Sequence, residues 1–331
     1  MPEGHSVHRI TRQFDRNFVG QQTAVSSPQG RFADGAAVLD GRVMTRAMAV
    51  GKQMFLEFEG DLWLRVHLGL YGAWDFAGEI LVDPTIASAN GRMGQTNQRG
   101  TDPIYDDAGE NSLASIGAPR KARIHVRMSE QTRGLAGDED DTEWPPPVVG
   151  QVRARLMTTQ ACADLRGPTA CAVETPDEIQ KVLDRLGPDP MVGDPAENED
   201  RFVAAVRRRK VAIGQLLMDQ AVVSGIGNVY RAEMLFRAGM DPHTPGNVIP
   251  EELVRGLWRD WVELVRIGIE TGQMMTMDGL TGDAWRQAMA SRDDRHWVYH
   301  RAGLPCRVCG TEILLEEMQA RKLYWCPTCQ K

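Results

Sequence analysis

The stretch Gly225-Ile226-Gly227-Asn228 decides the fold of the second half of this chain. Its two glycines stand directly before a helical pattern that runs from Asn228 to Arg237. Glycine lets the backbone approach another group closely, and the first turn of a helix has N–H groups without partners inside the helix. Such a turn can therefore receive a phosphate, although by itself it is more often a simple connection between two helices.

Helical patterns flank this turn on both sides. Apolar residues recur at helical spacing over Arg201–Arg209, Ile213–Asp219 and Glu251–Ile269. The preceding stretch, Leu186-Gly187-Pro188-Asp189-Pro190, is typical of a boundary between domains. These patterns predict a helical second domain over residues 186–300.

Two Cys-x2-Cys pairs separated by 16 residues follow, over residues 301–331. The pairs are Cys306 with Cys309 and Cys326 with Cys329. In a reducing compartment this spacing predicts one zinc ion, and four thiolate ligands leave no open position for catalysis. We therefore expect a structural zinc, which would hold a hairpin rigid enough to enter a groove; a generic protein-binding zinc ribbon stays an alternative. The other two cysteines, Cys162 and Cys171, are expected to be buried or free thiols.

The first half of the chain combines a helix with strand patterns. Apolar residues at helical spacing between Val7 and Phe18 predict the helix, and residues 37–72 alternate apolar and polar side chains between glycines, as strands and hairpins do. From about residue 77 to 149 the periodicity is lost, which predicts a flexible insertion. Within it, Arg123–Met128 alternates and can form a short strand.

The distribution of charge keeps a nucleic-acid partner possible despite a net charge of −7. Residues 75–147 contain 13 acidic and 7 basic side chains, so this stretch holds nearly all of the excess. A basic run at Arg207–Lys210 lies outside it. No run approaches the roughly 18 apolar residues of a membrane span, so we expect a cytoplasmic protein without a membrane partner.

The N-terminus suggests covalent chemistry. Once the initiator methionine is removed, Pro2 carries a secondary amine, and α-amino groups are partly neutral at neutral pH. A neutral amine can attack a sugar aldehyde carbon, and the adjacent Glu3 can act as a general acid. The tripeptide Met-Pro-Glu is short enough to occur by chance, so the hypothesis depends on the other motifs.

Together, four motifs in this order resemble the formamidopyrimidine-DNA glycosylase and endonuclease VIII family of bifunctional base-excision repair enzymes. They are Met1–Gly4, Gly51-Lys52, Gly225–Tyr230 and Arg321–Gln330. The resemblance covers nearly the whole chain apart from the insertion, and it is strongest to actinobacterial members of the endonuclease VIII branch. It implies an α+β fold: an N-terminal β-sandwich flanked by helices over 1–185, a helix-two-turn-helix domain over 186–300 and a zinc ribbon over 301–331.

The resemblance also implies a role for each candidate residue. Pro2 would attack C1′ of the damaged nucleotide, Glu3 would protonate the sugar and assist ring opening, and Lys52 would assist the acid–base steps. DNA contacts are expected from Asn228, Arg321, Lys210, Leu70, Tyr71 and Arg166. The first three would grip phosphates, Leu70 and Tyr71 would fill the vacated base stack, and Arg166 would contact the opposite base.

The sequence departs from the family pattern at one position. Relatives of the endonuclease VIII type carry Gln-Leu-Tyr where this chain has Gly69-Leu70-Tyr71, and the glycine is closer to the formamidopyrimidine type. Leu70 and Tyr71 therefore also fit an ordinary strand core, and Arg166 fits an ordinary surface turn. Glu233, on the helix that Asn228 starts, fits a lesion pocket or, preferably, a structural salt bridge.

The expected function is that of a monomeric DNA glycosylase and AP lyase acting on damaged double-stranded DNA at the nucleoid. Oxidised pyrimidines are the preferred substrates, with strand cleavage by β- and δ-elimination. An oxidised-purine glycosylase of the formamidopyrimidine type and a catalytically silent zinc-ribbon protein that binds DNA damage stay as alternatives.

Overall fold

The computed structural model describes residues 2–81, 115–117 and 144–331. They form two compact units, one with Pro2 and the described part of Ser6–Lys181, the other with Glu3–His5 and Val182–Lys331. Most of the predicted acidic insertion, including the predicted strand Arg123–Met128, lies outside the described residues. Within the described ranges, no helix is long and apolar enough to cross a membrane.

The first unit is built on nine strands joined edge to edge in antiparallel pairs. The strands are β1 (Gln22–Ser26), β2 (Arg42–Val50), β3 (Gln53–Phe58), β4 (Leu62–His67), β5 (Ala73–Gly78), β6 (Ser115–Gly117), β7 (Val152–Met157), β8 (Ala161–Arg166) and β9 (Ala170–Glu174). Their order is β6-β5-β8-β7-β1-β2-β3-β4-β9. Helices α1 (Gly4–Asn17), α2 (Ala33–Leu39) and α3 (Pro176–Leu183) complete the N-terminal half.

One apolar core joins the strands of this unit. Strands from both ends of the order, such as β5 and β4, contribute side chains to it, which is the layered arrangement of a sandwich. The predicted stripe of α1 faces this core: Phe14 is fully buried, and its ring lies 4.8 Å from that of Trp74 and 5.3 Å from that of Phe76. The predicted N-terminal fold is confirmed.

The second unit is helical, as predicted. Its helices are α4 (Pro195–Arg207), α5 (Ile213–Leu216), α6 (Asn228–Arg237), α7 (Glu251–Thr271) and α8 (Gly282–Ala290). Helix α4 begins earlier than its apolar pattern because Asp194 caps it, accepting hydrogen bonds from the N–H groups of Ala196 and Glu197. Helix α8 lies beyond the last helix that the sequence predicted, because apolar and polar residues are too mixed in this stretch to reveal a nine-residue helix.

A two-stranded zinc ribbon closes the chain. Strands β10 (Leu314–Met318) and β11 (Arg321–Trp325) pair around a two-residue turn in which Gln319 and Ala320 both have positive φ angles. Two central residues of positive φ match the twist of a tight hairpin. The ribbon shares a small apolar core with Ala232 and Phe236 of α6.

Candidate active site

Glu3 is held at the start of α6. Its side chain is fully buried, and its two carboxylate oxygens accept hydrogen bonds from the N–H groups of Gly227 (2.8 Å) and Val229 (2.9 Å). These are donors that a helix start cannot satisfy internally, and the positive end of the helix dipole favours a carboxylate there. The residue predicted as general acid is therefore fixed in orientation, one position after the predicted nucleophile Pro2.

The glycines before α6 are required by this contact. A Cβ atom on Gly227 would overlap the carboxyl group of Glu3, and the N–H of Gly4 donates to the carbonyl of Gly225 at 2.9 Å. Gly225 has a φ of +94°, a conformation that other residues rarely adopt. The two glycines thus shape the seat of Glu3, a function that the sequence pattern alone did not reveal.

We predict that Gly227→Ala will lower base excision by about 100-fold, the order expected when a catalytic group is misplaced by about 1 Å. Gly227 has a φ of −123°, which alanine adopts freely, so the added methyl acts through its overlap with Glu3. Gly256→Ala is the matched control, since Gly256 lies in α7 and a Cβ there meets nothing within 4 Å. Single-turnover excision rates compare the two; equal rates would show that the position of Glu3 does not matter.

Asn228 and Arg231 connect α6 to the zinc hairpin. The amide nitrogen of Asn228 donates to the carbonyl oxygen of Lys322 at 2.7 Å, and an Nη of Arg231 donates to the same oxygen at 3.0 Å. Arg231 also donates to Oδ1 of Asn228. Both side chains are buried, and Lys322 directly follows Arg321, the predicted phosphate ligand on β11.

The four predicted zinc ligands converge. The Sγ atoms of Cys306, Cys309, Cys326 and Cys329 all lie within 4.8 Å of one another. The Cys306–Cys329 pair is 3.9 Å apart and the Cys309–Cys326 pair 3.5 Å apart. A tetrahedral zinc with Zn–S bonds of about 2.3 Å separates its sulfurs by about 3.8 Å, so the cluster fits one structural zinc.

The predicted cations of the second unit differ in their surroundings. Arg321 and Lys210 are exposed. Arg207, in the same basic run as Lys210, forms an ion pair with Glu251 at 2.8 Å. Lys210 is therefore a better candidate for a phosphate contact than Arg207.

Lys52 lies in the tight turn between β2 and β3. Gly51 has a φ of +58°, which allows Val50 and Gln53 to pair on either side of the turn. Burial lowers the pKa of His67, and the charge of the Lys52 ammonium lowers that pKa further. Lys52 is half-buried and lies close enough to His67, at the end of β4, for its charge to lower the pKa of that imidazole.

Leu70 and Tyr71 lie in the turn between β4 and β5, outside any strand. Their side chains are 39% and 72% exposed, so the alternative that they belong to a strand core is wrong. The turn is closed by a hydrogen bond from the N–H of Gly72 to the carbonyl of Leu68. Gly69 has a φ of +63°, and a Cβ there would overlap Thr169, which explains why glutamine is absent from this position.

Arg166 ends β8 with its guanidinium group engaged. It forms ion pairs with Asp75 and Asp164 and donates to the carbonyl of Val149 at 2.8 Å. A contact between Arg166 and a base would have to replace these partners.

Glu233 organises the segment that precedes the zinc ribbon. Its buried carboxylate accepts hydrogen bonds from the N–H groups of Trp297, Val298 and Tyr299 and from the hydroxyl of Thr276. Burial raises the pKa of Glu233, and the four hydrogen bonds act in the opposite direction. The structure thus shows a hydrogen-bonded anchor where the sequence favoured a salt bridge.

His243 bridges the loop after α6 to the zinc ribbon. Its Nδ1 lies 2.7 Å from Asp241, its Nε2 lies 2.6 Å from Glu316 of β10, and its ring packs edge-on against Trp325. Burial lowers the pKa of His243, but the hydrogen bonds and charges of the two carboxylates outweigh it and raise the pKa overall. The bridge is strongest when the imidazole is protonated.

We predict that His243→Asn will lower the melting temperature by about 1–3 °C at pH 6, the size expected for a part-exposed ion pair. Because the folded pKa is raised, the stabilisation is complete below the unfolded pKa and disappears as pH rises through the folded pKa. The difference should therefore shrink as the pH is raised from 6 through the folded pKa. Glu316→Gln should behave alike, whereas Glu317→Gln, at the next position, should have no pH-dependent effect; a constant difference across pH would contradict the bridge.

Comparison with known proteins agrees with this arrangement. Three family models match: the formamidopyrimidine-DNA glycosylase N-terminal domain over residues 1–167, the formamidopyrimidine-DNA glycosylase H2TH domain over 186–278, and a zinc finger found in FPG and IleRS over 303–331. The proteins named "Endonuclease 8 1" of Mycobacterium tuberculosis and Mycobacterium bovis are 36% identical over 330 residues, covering 100% of both chains. The formamidopyrimidine-DNA glycosylase of Rippkaea orientalis is 35% identical over 217 residues, covering 62% of this chain and 72% of that relative.

Solved structures show the same fold. The Lactococcus lactis Fpg protein in complex with DNA containing N7-benzyl-Fapy-dG superposes with a TM-score of 0.67 at 18% identity, covering 100% of both chains. The MutM (Fpg) protein of Thermus thermophilus superposes with a TM-score of 0.61 at 22% identity, covering 99% of this chain and 98% of that one.

The chain belongs to the formamidopyrimidine-DNA glycosylase and endonuclease 8 family of base-excision repair enzymes. It is accordingly a DNA glycosylase with AP lyase activity, and it binds DNA. The zinc-finger match and the four converging cysteines confirm the predicted structural zinc. The alternative of a catalytically silent zinc-ribbon protein does not hold.

Proposed function

We propose that this enzyme excises oxidised pyrimidines from double-stranded DNA through a Schiff base on Pro2 and then cleaves the strand by β- and δ-elimination. The observation that carries the proposal is the seat of Glu3, a buried carboxylate fixed by two helix N–H groups beside the N-terminal proline. The choice of pyrimidines rests on the resemblance to the endonuclease VIII branch, and the relatives that match over the full length are named "Endonuclease 8 1".

The chemical steps follow from a secondary amine and a carboxyl group. The nitrogen of Pro2 bonds to C1′ and loses its proton, the glycosidic bond breaks, and the base leaves with a proton. Glu3 protonates O4′ as the ring opens, which leaves an iminium between Pro2 and C1′. The iminium acidifies the C2′ proton, whose loss expels the 3′ phosphate; a second elimination expels the 5′ phosphate, and water then releases Pro2.

Glu3 is suited to this proton transfer. Its two oxygens accept hydrogen bonds from the N–H groups of Gly227 and Val229, and a carboxylate can take up a proton as well as accept hydrogen bonds. The carboxyl group can thus change protonation state without leaving its seat. Lys52 would assist the acid–base steps from its half-buried turn.

Arg321 and Lys210 would bind phosphates, because both are exposed cations. Asn228 is uncharged and buried, and it would contribute an amide N–H to a phosphate at the start of α6. Leu70 and Tyr71 would enter the stack from which the damaged nucleotide is turned out, because they are large, apolar and exposed on a turn. Arg166 would exchange its ion pairs for a contact with the opposite base. The enzyme would act as a monomer on the nucleoid in the cytoplasm.

An oxidised-purine specificity is the second candidate, and Gly69 favours it. The turn geometry requires glycine there, as in the formamidopyrimidine type, so this chain lacks the glutamine of the endonuclease VIII type.

Duplexes that each contain one oxidised base decide between the two. We expect kcat/KM for thymine glycol or dihydrouracil to exceed that for 8-oxoguanine or formamidopyrimidine lesions by at least about tenfold, a difference of about 1.4 kcal/mol in transition-state stabilisation. The reverse order would assign the purine specificity. End products bearing phosphate on both sides of the gap would show that elimination goes through both steps.

A further inference from the structure

Arg231 is a buried cation that the proposed chemistry does not use. It lies on α6 three residues after Asn228, and its guanidinium is fully buried. Burial lowers its pKa to about 10, so it remains protonated at neutral pH, and the nearby charge of Glu3 favours this form. A buried charge is costly unless hydrogen-bonded, so its partners are informative.

Those partners fix the orientation of one side chain. Arginine has only donors, so the atom of Asn228 that it contacts must be the carbonyl oxygen Oδ1. The carbonyl of Lys322 has only acceptor lone pairs, so the atom of Asn228 that it contacts must be the amide nitrogen, at 2.7 Å. The two contacts agree on the amide orientation, which removes the usual ambiguity of an asparagine side chain. Arg231 takes part in both, because it also bonds the Lys322 carbonyl.

The orientation matters because a phosphate only accepts hydrogen bonds. With one amide hydrogen directed to Lys322, the second hydrogen of Asn228 is the donor that can reach a phosphate. The reverse orientation would present an oxygen to an anion, which is repulsive. Arg231 meanwhile bonds the carbonyl of Lys322 at 3.0 Å, directly beside Arg321.

We propose that Arg231 is a positioning residue that turns the donor side of Asn228 toward a DNA phosphate and fixes the backbone of β11 next to Arg321. The inference rests on the proposed phosphate contacts of Asn228 and Arg321. A lysine does not reproduce these bonds, because its side chain is one bond shorter and its ammonium does not reach the position of Nη2, the one nitrogen that bonds both Oδ1 and the Lys322 carbonyl.

The test uses the full-length zinc-loaded enzyme and a duplex with a tetrahydrofuran abasic site. A series of such duplexes carries one uncharged methylphosphonate at successive positions around that site. In the wild type, neutralising the phosphate bound by Asn228 should weaken binding by about tenfold or more, as expected for a hydrogen bond to a charged group. Asn228→Ala should bind normal DNA more weakly and lose its sensitivity at that one position.

Arg231→Met should lose the same sensitivity although Asn228 is present. Arg231→Lys keeps the buried charge but should also lose this sensitivity. It replaces the methionine variant in the test if that variant does not fold. Arg237→Met is the matched control: Arg237 lies on the same helix and is equally engaged, with Asp260 and the carbonyl of Thr276, so its loss should weaken folding but keep the sensitive phosphate. Zinc content and thermal melts report folding separately.

Two results would overturn the proposal, and they differ. If Arg231→Lys, or a folded Arg231→Met, weakens binding at all positions alike and keeps the sensitive phosphate, Arg231 is merely structural and the phosphate contact of Asn228 stands. If Asn228→Ala responds to the methylphosphonate at every position as the wild type does, Asn228 does not contact that phosphate. The positioning role of Arg231 then fails as well.

Discussion

An enzyme that retains its initiator methionine is expected to lose base excision by about 1,000-fold or more. Pro2→Glu produces this state, because methionine is removed before small second residues and is retained before glutamate. The terminal amine then lies one residue too early and belongs to Met1, while Glu3 stays in its seat on α6. Without an amine at the correct position there is no covalent step to split the reaction. Single-turnover excision on a lesion duplex measures the loss.

Pro2→Gly provides the matched control, because glycine also permits removal of methionine and also offers an N-terminal amine at position 2. It should keep measurable excision, and intact mass must confirm processing of both variants. If the methionine-retaining variant excised the base at the wild-type rate, the amine of residue 2 would be excluded as the nucleophile.

Loss of zinc is expected to weaken DNA binding by at least about 100-fold. Cys326→Ser removes a buried ligand from the cluster of four, and structural zinc contributes directly to folding of the segment that binds it. The hairpin would then no longer hold Arg321 in position, and the carbonyl of Lys322 would no longer accept the hydrogen bond from Asn228. Among the residues that the structure describes, the core of the first unit shares none with the ribbon core, so it should stay folded. Fluorescence anisotropy with lesion DNA and metal analysis give the two quantities.

Arg321→Ala separates the cation from the metal. It should reproduce most of the loss in DNA binding while retaining one zinc per chain, and its binding should depend less steeply on salt. If Arg321→Ala binds lesion DNA as the wild type does, the hairpin does not act as the phosphate clamp.

Periodic and covalent features of this fold could be predicted from the sequence. The apolar residues of α1 and of the helices in the second unit recur at the spacing of a helical turn. The four cysteines have the spacing of a tetrahedral zinc site. The start of α4 was misplaced because its cap, Asp194, lies before the apolar pattern. Helix α8 was missed because its surface is mostly exposed and so leaves little periodicity.

The polar contacts of the site could not be predicted in the same way. Arg231, Glu233 and His243 each act through backbone groups or side chains far away in the sequence, and no spacing encodes such contacts. The motif around Gly227 predicted a helix start that binds an anion, but the anion in the structure is Glu3, 224 positions earlier. Composition and pattern indicate which residues are reactive, and tertiary structure determines which of them meet.

The most direct test of the central claim is to identify the atom that forms the covalent bond. Borohydride reduction in the presence of lesion DNA, followed by proteolysis and mass spectrometry, should place the adduct on the α-nitrogen of Pro2 in the N-terminal peptide. An adduct on Lys52, or on any peptide that lacks the N-terminus, would contradict this account.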